Sequence, residues 1–175
     1  MKIRQSTICS STFRIPNSAF IGLIFFFAII EIPFFPFDAY GADTGIVIRP
    51  IEEAALDDLI NNKENTLIVS FMAAWCGPCI DELPALNRLY RKYKDQGLKL
   101  IGISIDLAGA EAIQPIVTRL KIEFPIYWYG EKAIAKFNLV AIPLLLVIKK
   151  GKIVERLPGQ RSEAFLAGKV NEILN

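Results

Sequence analysis

The stretch that most limits what this chain can become runs from Thr66 to Pro84. Thr66–Met72 (TLIVSFM) is apolar almost throughout and rich in β-branched side chains, with Ser70 its one polar interior position. So short and apolar a run reads as a strand buried on both faces. Residues 73–78 connect it to a long amphipathic helix ending near Gln96. On that helix Ile80, Leu83, Leu86, Leu89, Tyr90 and Tyr93 share a face, and Gly97 supplies the stop. At the junction stands Trp75-Cys76-Gly77-Pro78-Cys79.

The position of this pair decides its chemistry. Residues three apart in a helix bring their Cα atoms to about 5–6 Å, inside the range of an unstrained disulfide. Cys76, at the helix N-terminus, faces unpaired N–H groups and the positive end of the dipole, both of which stabilise a thiolate. Cys79 lies a turn inside and keeps its proton until needed. Pro78 is tolerated because an N–H in the first turn has no partner to lose. The asymmetry predicts that Cys76 attacks a disulfide and that Cys79 resolves the mixed disulfide. Two other uses weigh less. Zinc needs about four ligands, and the chain has three cysteines and no histidine. A static disulfide here would close a tiny loop and stabilise little. The missing histidine also excludes Ser-His-Asp and Cys-His catalysis, histidine-held haem and covalent c-type haem attachment.

Hydrophobic residues make up 53% of the chain, and eight of its 12 Phe precede Gly41. Residues 1–14 are basic and free of acid; residues 19–30 are apolar; Glu31 interrupts, and residues 32–37 continue around Pro33 and Pro36. Two readings of residues 1–41 stand. One is a secretory signal cut at Ala39-Tyr40-Gly41, leaving a domain over 42–175; the other is an uncleaved anchor through residues 19–37. Cys9 falls in this leader. Both readings predict a domain on the extracytoplasmic (periplasmic) side of the cytoplasmic membrane, because positive charge stays inside. Beyond the leader, charges nearly balance and no basic run exceeds Lys149-Lys150, so nucleic acid is not an expected partner.

The remaining pattern alternates strands and helices. Residues 45–48 suggest a short strand, and Pro50 a helix opening that runs to Ile60. Residues 98–105 suggest a second central strand, 108–120 a helix containing Pro115, 123–128 an extended segment and 132–137 a short helix. Residues 144–149 and 153–157 form a hairpin across Lys150-Gly151, and 161–174 a closing helix.

Residues 71–79 (FMAAWCGPC), with Pro84 five residues after the second cysteine, resemble the thioredoxin active-site strand, turn and helix. Residues 140–148, then Lys150-Gly151 and Pro158-Gly159, resemble the thioredoxin segment carrying a cis-proline, a hairpin and a glycine. The likeness spans about residues 46–174. The leader, and the room in residues 107–128 for an extra helix-strand element, draw it toward the exported, membrane-associated TlpA/ResA-type branch. The fold implied is α/β: a central mixed β-sheet flanked by helices, with that short extra element before the cis-proline.

The resemblance implies roles. Cys76 and Cys79 are the redox-active disulfide, so no cofactor or metal is expected. Pro143 is cis opposite it, Ile142 offers backbone to an extended substrate, and Trp75 frames the nucleophile, a half-buried aromatic being compatible with that place. Glu82 falls where ResA-type proteins carry an active-site acid; its other reading is a solvated helix charge, the reading given to Asp81. Three positions depart from thioredoxin: Ser70 replaces a buried Asp, Gly102 a lysine, and Leu144 a frequent Thr. The activity implied is reduction of protein disulfides, the Gly-Pro dipeptide being that of thioredoxin, whose potential is about −270 mV against about −120 mV for the oxidant DsbA. A reductant in an oxidising compartment implies a membrane thiol-electron transporter as donor, and apocytochrome c among its substrates, hence a place in cytochrome c maturation. The alternatives are a disulfide oxidase or isomerase, a peroxidase of the same superfamily, and a non-catalytic binding module.

Overall fold

The computed structural model describes residues 45–64 and 66–174. All of them fall in the second of two compact units, Ala39–Asn175. The leader and Cys9 lie outside the described residues.

Among the described residues six strands form one sheet. In chain order they are β1 (Arg49–Pro50), β2 (Thr66–Met72), β3 (Lys99–Ser104), β4 (Ile126–Trp128), β5 (Leu144–Lys149) and β6 (Lys152–Pro158). Across the sheet they run β1-β4-β3-β2-β5-β6. The β1–β4, β4–β3 and β3–β2 pairs are parallel, and β2–β5 and β5–β6 antiparallel. The sheet is thus mixed, with the expected hairpin at one end. The helices are α1 (Glu53–Asn61), α2 (Gly77–Tyr93), α3 (Gln114–Arg119), α4 (Lys132–Lys136) and α5 (Glu163–Leu174). Right-handed crossovers put α2 and α3 on one face and α1 on the other, because the chain crosses the sheet in opposite directions in those units. α5 packs against α2, where Arg88 and Glu163 pair at 2.7 Å. On α4, Lys136 reaches Glu53 and Asp57 of α1. Helix α3 and strand β4 are the extra element before Pro143. Among the described residues no helix is long and apolar enough to cross a membrane.

Burial explains the strand sequences. Every residue of β2 after Thr66 is buried, as is every residue of β5 before Lys149, so both read as apolar runs, broken only by Ser70 in β2. At the sheet's edge β6 is exposed along most of its length, with Leu157 its one buried residue, and carries Lys152, Glu155 and Arg156, charges that discourage further pairing. The β5–β6 turn holds Lys150 and Gly151 at φ 54° and 72°. Two left-handed residues in sequence suit the twist of the hairpin. At Gly151 a Cβ would also run into the Asn61 carbonyl. Gly102, where thioredoxin has lysine, has a different cause: a Cβ there would lie 2.9 Å from both Ile126 and Met72. Packing across β3 has taken the space.

Three expectations need correction. Residues 45–48 form no strand; pairing begins at Arg49 opposite Tyr127. The Gln114 side chain takes the partner's place, accepting from the Ile48 N–H at 2.8 Å and donating to the Ile46 carbonyl at 2.9 Å. Pro50 consequently ends β1, and the helix opens at Glu53. The helix expected over 108–120 is divided into a 3-10 turn at Ala110–Ala112 and α3. Pro115 lacks an amide N–H and crowds the carbonyl four residues back, so it sits in the first turn of a new helix instead of inside a longer one.

Candidate active site

Topology assembles the site. β2 and β3 are parallel, so the turn after β2 and the residues after β3 emerge side by side; the Ile105 N–H donates to the Met72 carbonyl at 2.9 Å. β5 is antiparallel to β2, so its beginning reaches the same edge, with Leu144 opposite Phe71. The residues just before β5 are Ile142 and Pro143, whose shared peptide is cis. A local sequence rule made the cysteine turn, and strand direction brings Pro143 to it.

Cys76 and Cys79 form a disulfide, with Cα atoms 5.3 Å apart. Cys76 caps α2 in extended conformation, and its Sγ accepts the Cys79 N–H at 3.2 Å. That is the interaction expected to stabilise a thiolate at this atom. The capping residue is itself held, its N–H donating to the Ala73 carbonyl at 3.1 Å. In the disulfide state Cys76 is not openly exposed: it is 6% accessible, against 2% for Cys79. The sulfur is folded onto the helix end and bonded to its partner, which covers it.

The aromatic neighbour is more open than half-buried. Trp75 is 69% exposed, and with the exposed Val140 it edges an apolar hollow. A cavity of about 370 Å³ lies beside it, lined by Trp75, Ile105, Ile134, Leu139 and Ile142 among others. Ile142 lies outside the β2–β5 ladder, which begins at Leu144. Pro143 is buried, and its carbonyl accepts the Gly159 N–H at 2.8 Å.

Glu82 is not a solvated charge. It is 1% exposed, and one carboxylate oxygen accepts the Arg161 backbone N–H at 2.7 Å, while the other is buried without a partner. Burial lifts its pKa above the usual carboxylate value, with the Arg161 amide and charge opposing. The spacing puts it on the Cys79 face of α2, and its hydrogen bond ties that helix to the 158–161 loop, which also holds Pro143. Asp81 is exposed, as expected. Ser70, at the position of thioredoxin's buried acid, is itself buried.

One residue escaped sequence reasoning. Asp106 is buried at the end of β3, where both carboxylate oxygens accept the Ala74 N–H, at 3.0 and 3.1 Å. The only local signal was an acid closing an apolar run, which does not say what that acid faces. Finding it required the Met72–Ser104 register. Among the described residues no group of three or more Cys, His, Asp or Glu is placed to hold a metal.

A mixed sheet carrying a Cys-x-x-Cys disulfide at a helix N-terminus, beside a cis-proline, defines a thioredoxin-fold redox protein. Comparison with known sequences refines this. The chain belongs to the AhpC/TSA family, which it matches over residues 47–156. It is 30% identical over 118 residues to the thiol-disulfide oxidoreductase ResA of Bacillus thuringiensis (strain Al Hakam), covering 66% of this chain and 68% of that one. A thiol:disulfide interchange protein of the thioredoxin family from Chlorobium tepidum TLS has a similar crystal structure, with TM-score 0.59 and 25% identity, over 65% of this chain and 82% of that one. StoA from Bacillus subtilis superposes with TM-score 0.56 at 23% identity, over 63% and 86% of the two chains. The chain is a thiol-disulfide oxidoreductase of the ResA/TlpA type, and thioredoxin-like oxidoreductases of this kind work through a disulfide without a cofactor.

Proposed function

We propose that this protein reduces protein disulfides on the extracytoplasmic side of the cytoplasmic membrane, with Cys76 attacking and Cys79 resolving. The hydrogen bond from the Cys79 N–H to the Cys76 sulfur carries the assignment, because it favours negative charge at one of the two sulfurs. The Cys76 thiolate attacks one sulfur of the substrate disulfide, forming a mixed disulfide and releasing a thiolate. Cys79 gives up its proton and attacks the Cys76 sulfur, releasing the second substrate thiolate and restoring the Cys76–Cys79 bond. The substrate gains two electrons and, from solvent and Cys79, two protons. Glu82, on the same helix face, is the proton acceptor for Cys79. Trp75, Ile142 and Pro143 receive the chain flanking the substrate cysteine, Ile142 by adding its free backbone to an extended segment.

The leader supports the location, whether residues 1–41 are cut or residues 19–37 remain as an anchor. A membrane thiol-electron transporter is the electron donor in this scheme, and apocytochrome c a protein substrate, which places the reaction in cytochrome c maturation. The test is a pair of variants. Cys79→Ser should trap substrates as mixed disulfides, visible on non-reducing gels, whereas Cys76→Ser should trap none and turn over none. Trapping by Cys76→Ser alone would reverse the roles.

A further inference from the structure

Asp106 is gripped from several sides, which a side chain that merely fills space does not need. One carboxylate oxygen accepts the Ser104 hydroxyl at 2.8 Å, both accept the Ala74 N–H, and the backbone carbonyl accepts the Trp128 indole N–H at 2.7 Å. The residue therefore joins the end of β3, the inserted strand β4 and the turn that delivers Cys76. Within that turn the Cys76 N–H donates to the Ala73 carbonyl at 3.1 Å, and the Ala74 N–H ahead of it is taken by the Asp106 side chain. The turn's next residue, Trp75, projects into solvent and contributes little restraint.

We propose that Asp106 is a positioning residue for Cys76. By holding the Ala74 amide it fixes the turn, so that the sulfur arrives over the Cys79 N–H. The inference rests on Cys76 being the attacking thiol. Glu82 on α2, with Arg161 beside it, is the other ionisable group built in behind the redox helix, and the variants below leave it unchanged.

Positioning and charge make opposite demands. A buried carboxylate near a forming thiolate repels it, so a purely electrostatic Asp106 would make Cys76 less acidic, and its removal would lower the thiol's pKa. A positioning Asp106 does the reverse: removal takes the sulfur off the helix end and raises the pKa toward the ordinary cysteine value of about 8.5. The test is the pH profile of iodoacetamide alkylation of the reduced full-length protein, with the labelled cysteine assigned by mass spectrometry. Asp106→Ala should move the midpoint upward and slow alkylation at pH 7 about tenfold, one pKa unit being a tenfold change in thiolate fraction. Asp106→Asn, which keeps an oxygen for the Ala74 N–H, should restore the wild-type rate or exceed it. Should Asp106→Ala not fold, Ser104→Ala decides: a loosened carboxylate should move the midpoint upward and slow alkylation at pH 7 about twofold.

Profiles that coincide, or a midpoint that falls in Asp106→Ala, overturn the proposal, as does an Asp106→Asn as impaired as the alanine variant. Labelling of Cys79 first in the wild type overturns the role assignment itself. Labelling of Cys76 with unchanged profiles leaves that assignment standing and removes only Asp106.

Discussion

Glu82 shows how one buried carboxyl couples the redox helix to the rest of the domain and to pH. Because burial raises its pKa, the folded state binds the Glu82 proton more tightly than the unfolded chain does. Its contribution to stability is therefore fully present below the unfolded value, about 4.3, and is lost as pH rises through the higher folded value. Glu82→Gln keeps an oxygen for the Arg161 N–H and abolishes the titration. Urea midpoints measured from pH 4 to 7 should fall more steeply for wild type than for Glu82→Gln, and parallel profiles would refute the buried-acid account. The same variant should slow release of trapped substrate, the Cys79 step, more than it weakens substrate binding. At this scale the sequence disclosed Cys76, Cys79 and the spacing of Glu82, all set by one helix. Whether Glu82 is solvated depends on the 158–161 loop lying over it, a contact between residues 79 positions apart. Asp106 was hidden for the same reason, its partner Ala74 lying 32 residues back.

Secondary structure was legible where local signals agreed. The β2 boundaries match the apolar run residue for residue, and the break between α2 and β3 falls at Gly97, whose φ is 98°. Errors collected where side chains replaced backbone partners, as at Gln114, or where a proline admitted two positions, as at Pro115. Two glycines give sharp tests at this scale. Gly151→Ala combines a left-handed φ with a collision at the Asn61 carbonyl and should cost about 2–3 kcal/mol in chemical denaturation. Gly102→Ala has an ordinary φ but presses on Ile126 and Met72, and should cost about 1–3 kcal/mol by overpacking. A neutral result at Gly102 would mean that the Met72 side chain yields freely and that packing does not explain the absence of lysine there.

The whole molecule arranges a thioredoxin-fold sheet so that three chain segments distant in sequence meet at one edge: the cysteine turn, the end of β3 and the start of β5. At that edge the apolar side chains of Trp75 and Val140 line one hollow, with exposures of 69% and 89%. Apolar surface left open beside a reactive disulfide suits a protein partner more than a small polar thiol. Charge sets no direction here, since the formal net charge of the chain is only +2. Substituting Val140→Glu, outside the cysteine pair, should therefore slow reduction of a protein disulfide while leaving reaction with glutathione unchanged, and equal slowing of both would argue against a docking role. The most direct test of the central claim is the reduction potential of the Cys76–Cys79 pair in the purified protein, titrated against dithiothreitol and followed by Trp75 fluorescence. A value below about −220 mV is predicted, making the protein a net donor of electrons to disulfides. A value near −120 mV would contradict the account and make it an oxidant.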